Sequence, residues 1–351
     1  VREQTLYKKW IEVQSYRRKA NLSSVVKAKI WRPDDIFSQS DTITQIEELE
    51  PRIRIVESEQ DYEHWLMLRV FCHTMSFDSN PGRFIRLIIY DDKTEKYLGA
   101  VSLGSDVTSI GARDKWIGWN HDNKFVEGKL NSTTIANCIM ACQPFGYNFL
   151  GGKLVASLVT SKYVRDLWYK LYNNPLVGVT TTSLYGSESM YNGIPYWKKL
   201  GISKGLIYIK PDDFAYQTWI RWFKKNRPDD LKEAFSRTSP KQNAITLIFK
   251  ELGIKPKNYT HGFQRGVYFS AAYENTREFL RNEIVENDLV IRPKFEKDLS
   301  GILDWWKPKA INRYKKLLQE SRIKPEVMYY NKMIGLTWQE AQDQYLPEVG
   351  R

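Results

Sequence analysis

Polar and apolar positions alternate through Arg52-Ile53-Arg54-Ile55-Val56 with the period of a strand. Ser58 to Phe71 then carries helical spacing, with Ser58 placed to cap its start. Phe84 to Tyr90 and Lys96 to Leu103 predict two strands, and the turn chemistry of Asp91-Asp92-Lys93-Thr94 joins them as a hairpin. A polar loop runs to about Leu130. Thr133 to Cys142 is an apolar run bounded by Gln143-Pro144, short enough to be a buried strand. Past Gly146, Gly151 and Gly152, the segment Lys153 to Tyr172 places Leu154, Val155, Leu158, Val159, Val164, Leu167, Trp168 and Leu171 at helical spacing, and Pro175 ends it. Leu176 to Tyr185 predicts a strand and Met190 to Leu200 a short helix closed by Gly201. Gly205 to Lys210 predicts a last strand.

The pattern outside this stretch differs. Residues 1–50 read as an arm: Tyr7 to Lys29 can hold a helix, while Pro33 and the Ser-Asp run after it read as a loop. The arm either packs on the main body or orders on binding a partner. Pro211-Asp212-Asp213 marks a boundary, so residues 51–210 form one α/β (α+β) domain and 211–351 a mainly helical, basic region. Helices are expected over Asp213–Lys225, Asp229–Ser236, Pro240–Leu252, Asn275–Asn287, Ser300–Ser321 and Trp338–Gln344.

Charge changes the picture. Of 351 residues, 53 are basic and 41 acidic, and the net charge of +12 favours a polyanionic partner, with DNA preferred. The alternative is a basic but otherwise ordinary soluble enzyme. The chain carries 12 Trp, 21 Tyr and 15 Phe, which serve core packing or stacking on unpaired bases. Trp219, Arg221, Trp222, Phe223, Lys224, Lys225 and Arg227 interleave the two chemistries, as do Trp305, Trp306, Lys307 and Lys309. Three cysteines, Cys72, Cys138 and Cys142, suggest neither a disulfide scaffold nor a metal site. The absence of a long apolar run predicts no membrane association and a cytoplasmic location.

The candidate chemistry lies where a buried strand meets a glycine-bearing loop and a helix. Such a loop presents backbone N–H groups at the positive end of a helix dipole, which suits a pyrophosphate. Gln143-Pro144-Phe145-Gly146-Tyr147-Asn148 resembles the donor loop of the GNAT acyltransferases, and Tyr196-Trp197-Lys198-Lys199-Leu200-Gly201-Ile202 resembles their closing segment. The resemblance implies a mixed, mainly antiparallel sheet flanked by helices. It also implies a pantetheine arm entering between two splayed strands, and acetyl-CoA or another acyl-CoA as cofactor. Gln143, Phe145, Gly146, Tyr147, Asn148, Gly151 and Gly152 would then bind it. Asn148 stands where Gly or Ala is usual, and Trp197 where a tyrosine acid usually sits.

A closer resemblance spans about residues 97–205. Arg113-Asp114-Lys115-Trp116-Ile117-Gly118-Trp119 is similar to the signature of the Druantia DruA family of phage-defence proteins, and Asn137–Ser157 and Tyr191–Trp197 are similar to further segments of it. The phage Mom family, which modifies adenine in DNA, shares the GNAT-like core. The resemblance implies a viral enzyme in the cytoplasm of a bacterial host, adding an acyl-type group to an adenine amine and protecting DNA from restriction. Arg113, Asp114, Tyr191 and Tyr196 would be catalytic.

Taken by themselves, the residues leave alternatives open. In a strand, Arg113 and Asp114 face opposite sides, one toward a cleft and one anchoring a loop; otherwise they form a buried ion pair. Trp116 and Trp119 pack the core or line a cleft. Arg265, in a Gly-Phe-Gln-Arg-Gly run, approaches phosphate or braces a turn. Lys315 and Lys316 contact a DNA backbone or form a solvated face. Two other classes of function compete with DNA modification: a catalytically silent nucleic-acid-binding or virion-associated protein on the same scaffold, and a protein or small-amine N-acetyltransferase.

Overall fold

The computed structural model describes residues 25–72, 82–183, 189–204, 211–236, 240–255, 264–293, 299–325 and 336–345, with short pieces before residue 12. In chain order its elements are α1 (Gln39–Glu48), β1 (Pro51–Ile55), α2 (Glu59–Cys72), β2 (Phe84–Asp91), β3 (Tyr97–Ser105), α3 (Gly111–Ile117) and β4 (Thr133–Ala141). There follow α4 (Phe145–Asn148), α5 (Gly151–Leu158), α6 (Lys162–Tyr172), β5 (Gly178–Ser183) and β6 (Trp197–Lys204). The remainder comprises α7 (Asp213–Asn226), α8 (Pro228–Ser236), α9 (Pro240–Glu251), β7 (Gln264–Ala271), α10 (Thr276–Leu280), α11 (Leu299–Gln319) and α12 (Trp338–Tyr345).

The strands form one seven-stranded sheet in the order β1-β2-β3-β4-β5-β7-β6. Every pairing is antiparallel except β4 with β5. The expected mixed, mainly antiparallel sheet flanked by helices is therefore the architecture found. One face of β1–β4 packs on α1, α5, α6 and α11 through Ile46, Leu87, Val101, Ile139, Val155, Trp168 and Trp306. The other face packs on α2 through Trp65, Leu68 and Phe71. Over β7, Phe269 and Ala271 meet Ile117 of α3 and Phe279 and Leu280 of α10.

Four local expectations are corrected. The run after Pro33 is not all loop: helix α1 begins just after Ser38 and buries Thr42 and Ile46. Lys153 to Tyr172 is two helices, broken at residues 159–161, where Arg165 Nη1 donates to the Thr160 carbonyl at 2.7 Å. Met190 to Leu200 is turns followed by β6, and Gly201 lies within that strand at φ 152° with its missing Cβ against Ala112. Arg113 and Asp114 sit on helix α3, because Ile110, Arg113 and Ile117 recur at helical spacing and are buried on one side. The strand expected over 205–210 and most of the helix expected over 7–29 lie outside the described residues.

The sheet also reaches past residue 210. Strand β7 lies between β5 and β6, antiparallel to both. Its place depends on Gly178: a Cβ there would stand 2.0 Å from the Phe269 ring. Helix α11 crosses back over the core with Trp306, Ala310, Tyr314 and Leu317 buried along one side. Its Tyr314 hydroxyl donates to the Ile36 carbonyl at 2.9 Å, tying the region after 299 to the segment before β1. Pro308 removes one donor from this helix without ending it.

Candidate functional site

Strands β4 and β5 are hydrogen-bonded only at Thr133↔Gly178, Thr134↔Val179 and Ile135↔Thr180. Beyond these pairs each continues without the other, β4 to Ala141 and β5 to Ser183. The backbone groups released at the parting need partners. Thr181 supplies one, its hydroxyl donating to the Ala136 carbonyl at 3.0 Å.

Tyr191 reaches this gap at Thr181. Its hydroxyl shares a hydrogen bond with Thr181 of β5 and it feels Cys138 of β4. Its ring stacks on Trp197 at 4.8 Å and tilts against Tyr268 at 5.2 Å. The residue is buried, and burial first of all raises the phenol above its ordinary value. Tyr191 therefore stays protonated and neutral, so it can donate a hydrogen bond but not act as a base. Trp197 is fixed from below by donating Nε1 to the Ala156 carbonyl at 3.1 Å. Tyr196 takes the left-handed conformation at φ 66°, with the Arg292 guanidinium 4.7 Å from its ring centre.

The segment after β4 turns tightly and packs inward. Gln143 accepts from the Tyr147 amide at 2.9 Å, and the Gly146 amide donates to Cys142 at 2.7 Å. Phe145 is wholly buried between Trp31 and Trp306. Asn148 is equally buried: its Nδ2 donates to the carbonyls of Pro144 and Lys324, and its Oδ1 accepts from the Lys324 amide at 3.0 Å. Tyr147 faces Arg313 and Lys324, at 5.1 and 4.7 Å from its ring centre. Helix α5 then opens at Gly151. A Cβ there would stand 2.3 Å from the Phe145 ring, and one at Gly152 would stand 2.9 Å from Met190 Sδ. In the first turn Lys153 donates to the Asn192 carbonyl. Burial, then the nearby charge of Lys309, lowers the Lys153 pKa.

A second cluster lies where β4 and β5 still pair. Arg113 Nη1 is 2.6 Å from Asp106 Oδ1, and its Nη2 is 2.7 Å from Asp114 Oδ1. Lys124 Nζ closes the network at 2.6 Å from Asp114 Oδ2. Asp106 also accepts from the Thr180 hydroxyl at 2.8 Å, and Arg113 Nη2 donates to the Val107 carbonyl at 2.7 Å. Trp119 lies 5.1 Å from both cations and is anchored by its Nε1 on the Leu280 carbonyl at 2.7 Å. The Arg113 side chain has no exposure. Neither member of the Arg-Asp pair is split off toward a cleft: both carboxylates and both cations lie in ion-pair contact with one another. The helix puts the neighbours into one network that a strand would have divided.

The structure thus brings Tyr191, Tyr196 and the start of α5 near one gap and leaves Arg113 and Asp114 in a separate closed cluster. The basic candidates lie elsewhere. Arg221, Lys224 and Lys225 are exposed on α7, Arg265 is half-buried on β7, and Lys315 and Lys316 are on α11, the latter 3.8 Å from Glu320. Sequence reasoning missed Asp106, Lys124, Thr181 and Lys153, and singled out Lys309 only with Trp305 and Trp306. Asp106 had a signal, a carboxylate shortly after a buried apolar strand; nothing local brings Lys309 to Lys153, because α11 meets α5 only in three dimensions. No helix among the described residues is long and apolar enough to cross a membrane.

No solved structure matches the chain. A curated relative, Druantia protein DruA of Escherichia coli (strain UMEA 4076-1), is 27% identical over 235 residues, covering 60% of this chain and 56% of its own. The chain thus spans little more than half the length of that relative. The family profile described as Druantia protein DruA matches residues 5–282, which takes in the sheet, the β4–β5 gap and the Arg113 cluster. The chain belongs to the Druantia DruA family.

Proposed function

We propose that this protein serves in phage defence and acts on nucleic acid through an acyltransferase-type domain of the GNAT kind. The observation that carries the proposal is the parting of β4 from β5 after three residue pairs, followed by a glycine-opened helix. Acyltransferases of that kind admit the donor's pantetheine arm between such strands. An acyl-CoA would bring an activated thioester. The Gly151 and Gly152 backbone and Lys153, with Lys309 close by, fit its pyrophosphate, because they combine helix-terminal donors with positive charge. Gln143, Phe145 and Asn148 fit it less well, since their side chains are turned to the protein's own backbone and core. Tyr191 would have to leave the gap for a donor to enter. The net charge of +12 supports a nucleic-acid acceptor, with a base amine as the acceptor group. Family membership supports the defence role.

A second reading keeps the nucleic acid and drops the chemistry: a binding protein on the same scaffold. The buried Tyr191 ring at the gap favours it. Mass spectrometry of nucleosides from DNA co-expressed with the chain separates the two, with Lys153→Ala as control and coenzyme A tested in a thermal-shift assay. A new base adduct that is lost in the control, with stabilisation by coenzyme A, is the expected result. Unmodified DNA and no response to coenzyme A, from folded protein, would leave the second reading standing.

A further inference from the structure

Helix α7 has two unlike faces. Ile220 and Phe223, with Tyr216 and Trp219 beside them, pack against Leu231, Ala244 and Ile248 of α8 and α9. Phe214, Thr218, Arg221, Trp222 and Lys225 recur at i, i+4, i+7, i+8 and i+11, forming one stripe, and all are exposed. Two are large aromatics that a helix would normally bury: Phe214 is 80% exposed and Trp222 39%. Trp219 meets Trp222 edge-on at 5.5 Å, which limits the indole's freedom without covering it. Asp212 caps the helix by accepting from the Ala215 amide at 2.7 Å, so the stripe stands on a well-started element. Among the described residues, no carboxylate pairs with Arg221, Lys224 or Lys225.

Exposed rings and cations without carboxylate partners on one stripe select a partner that carries both flat faces and negative charge. Unpaired nucleic acid does so at every residue, whereas a duplex hides its base faces in the stack. Phe214 and Trp222 are two turns apart, about 12 Å along the axis, so each can take a separate base. A lipid surface fits less well: it takes a continuous apolar face, and that face of α7 is turned inward on α8 and α9. We propose that α7 docks single-stranded nucleic acid, with Phe214 and Trp222 stacking on bases and Arg221, Lys224 and Lys225 holding phosphates. This rests on the reading of nucleic acid as the partner and adds the form of the strand and the residues that hold it.

The test is fluorescence anisotropy of the full chain with a labelled oligothymidylate and with a duplex of equal length. The single strand should bind more tightly. Phe214→Ala and Trp222→Ala should each weaken it roughly tenfold while changing duplex binding by less than about twofold. Arg221→Ala with Lys225→Ala should weaken both forms and flatten the salt dependence. Phe214 is exposed enough that its loss leaves the fold intact, and circular dichroism melting checks the Trp222 variant. Single-strand binding that ignores both ring substitutions overturns the proposal, as does failure to bind the single strand. Loss of binding to anionic phospholipid vesicles in the ring variants, without oligonucleotide binding, would assign the stripe to lipid and overturn it too. Unmodified DNA in the co-expression assay would remove the transferase reading and leave this surface untouched.

Discussion

Arg113 and Asp106 meet at 2.6 Å with neither side chain exposed to solvent. The pair joins α3 to the end of β3, and through Thr180 to β5, at the point where β4 and β5 are still bonded. Charges held this way are costly to separate, since removing one leaves its partner buried without compensation. Arg113→Ala should destabilise the fold by about 3–5 kcal/mol, a large part of a domain's stability. Lys124→Ala should cost less, because Asp114 retains Arg113 and some solvent contact. Urea unfolding checks both; a loss under about 1 kcal/mol in Arg113→Ala would contradict a closed buried network.

Tyr191 offers a contrast between packing and hydrogen bonding. Tyr191→Phe keeps the ring on Trp197 and loses only the bond to Thr181, for about 1 kcal/mol. Tyr191→Ala removes the ring from Trp197 and Tyr268 and should cost about 3–5 kcal/mol. Thermal melts of the two variants give the comparison. Equal losses would mean that the packing of the ring adds no stability.

Asn148 spends its amide on the backbone of Lys324, 176 residues away. Asn148→Ala should cost about 1–3 kcal/mol by leaving buried groups without partners. It should also speed hydrogen exchange at the Lys324 amide more than at amides of β2 and β3. Unchanged exchange at that amide would show the clamp to be dispensable.

His64 is buried, with Nδ1 2.5 Å from the Tyr97 hydroxyl, and burial first of all lowers its pKa. Above its ordinary value of 6.5 the imidazole is neutral in folded and unfolded chains alike. Below 6.5 the unfolded chain takes the proton first, so stability falls with pH until the lower folded value is passed. Urea midpoints below pH 6.5 should therefore drop more steeply for the natural chain than for His64→Gln. Parallel profiles would remove His64 from the acid response.

The three cysteines should differ in reactivity. Cys138 and Cys142 are buried, Cys72 is half-buried, and contact with Cys72 followed by burial raises the Cys142 pKa. Since the thiolate is the reactive form, a thiol reagent should label Cys72 first in the native chain and all three only after unfolding. Mass mapping of labelled peptides decides it, and early labelling of Cys142 would contradict the burial.

The sequence by itself determined the elements whose signal is local. The hairpin of β2 and β3 follows from two apolar runs around Asp91–Thr94, and β4 from an unbroken apolar run stopped by Gln143-Pro144. Helices α7, α8 and α9 follow from spacing and from Pro228 and Pro240 at their starts. Gly151 and Gly152, read as the loop before a helix, are instead the first residues of α5, with Gly151 packed on Phe145.

Only the tertiary structure decided the rest. Nothing local places Val267-Tyr268-Phe269 between β5 and β6, because strand partners are chosen by long-range pairing and by the space Gly178 leaves for Phe269. Arg113 and Asp114 left two readings open, a pair divided between two faces or a buried ion pair; on a helix, with Asp106 and Lys124 brought in from neighbouring segments, they form the buried ion pair. Asn148 and Phe145 looked free for a ligand until α11 and Lys324 arrived to cover them. Periodicity reports which face of an element is buried. Which group comes to lie against that face depends on contacts between segments far apart in the chain, and those are settled when the chain is packed.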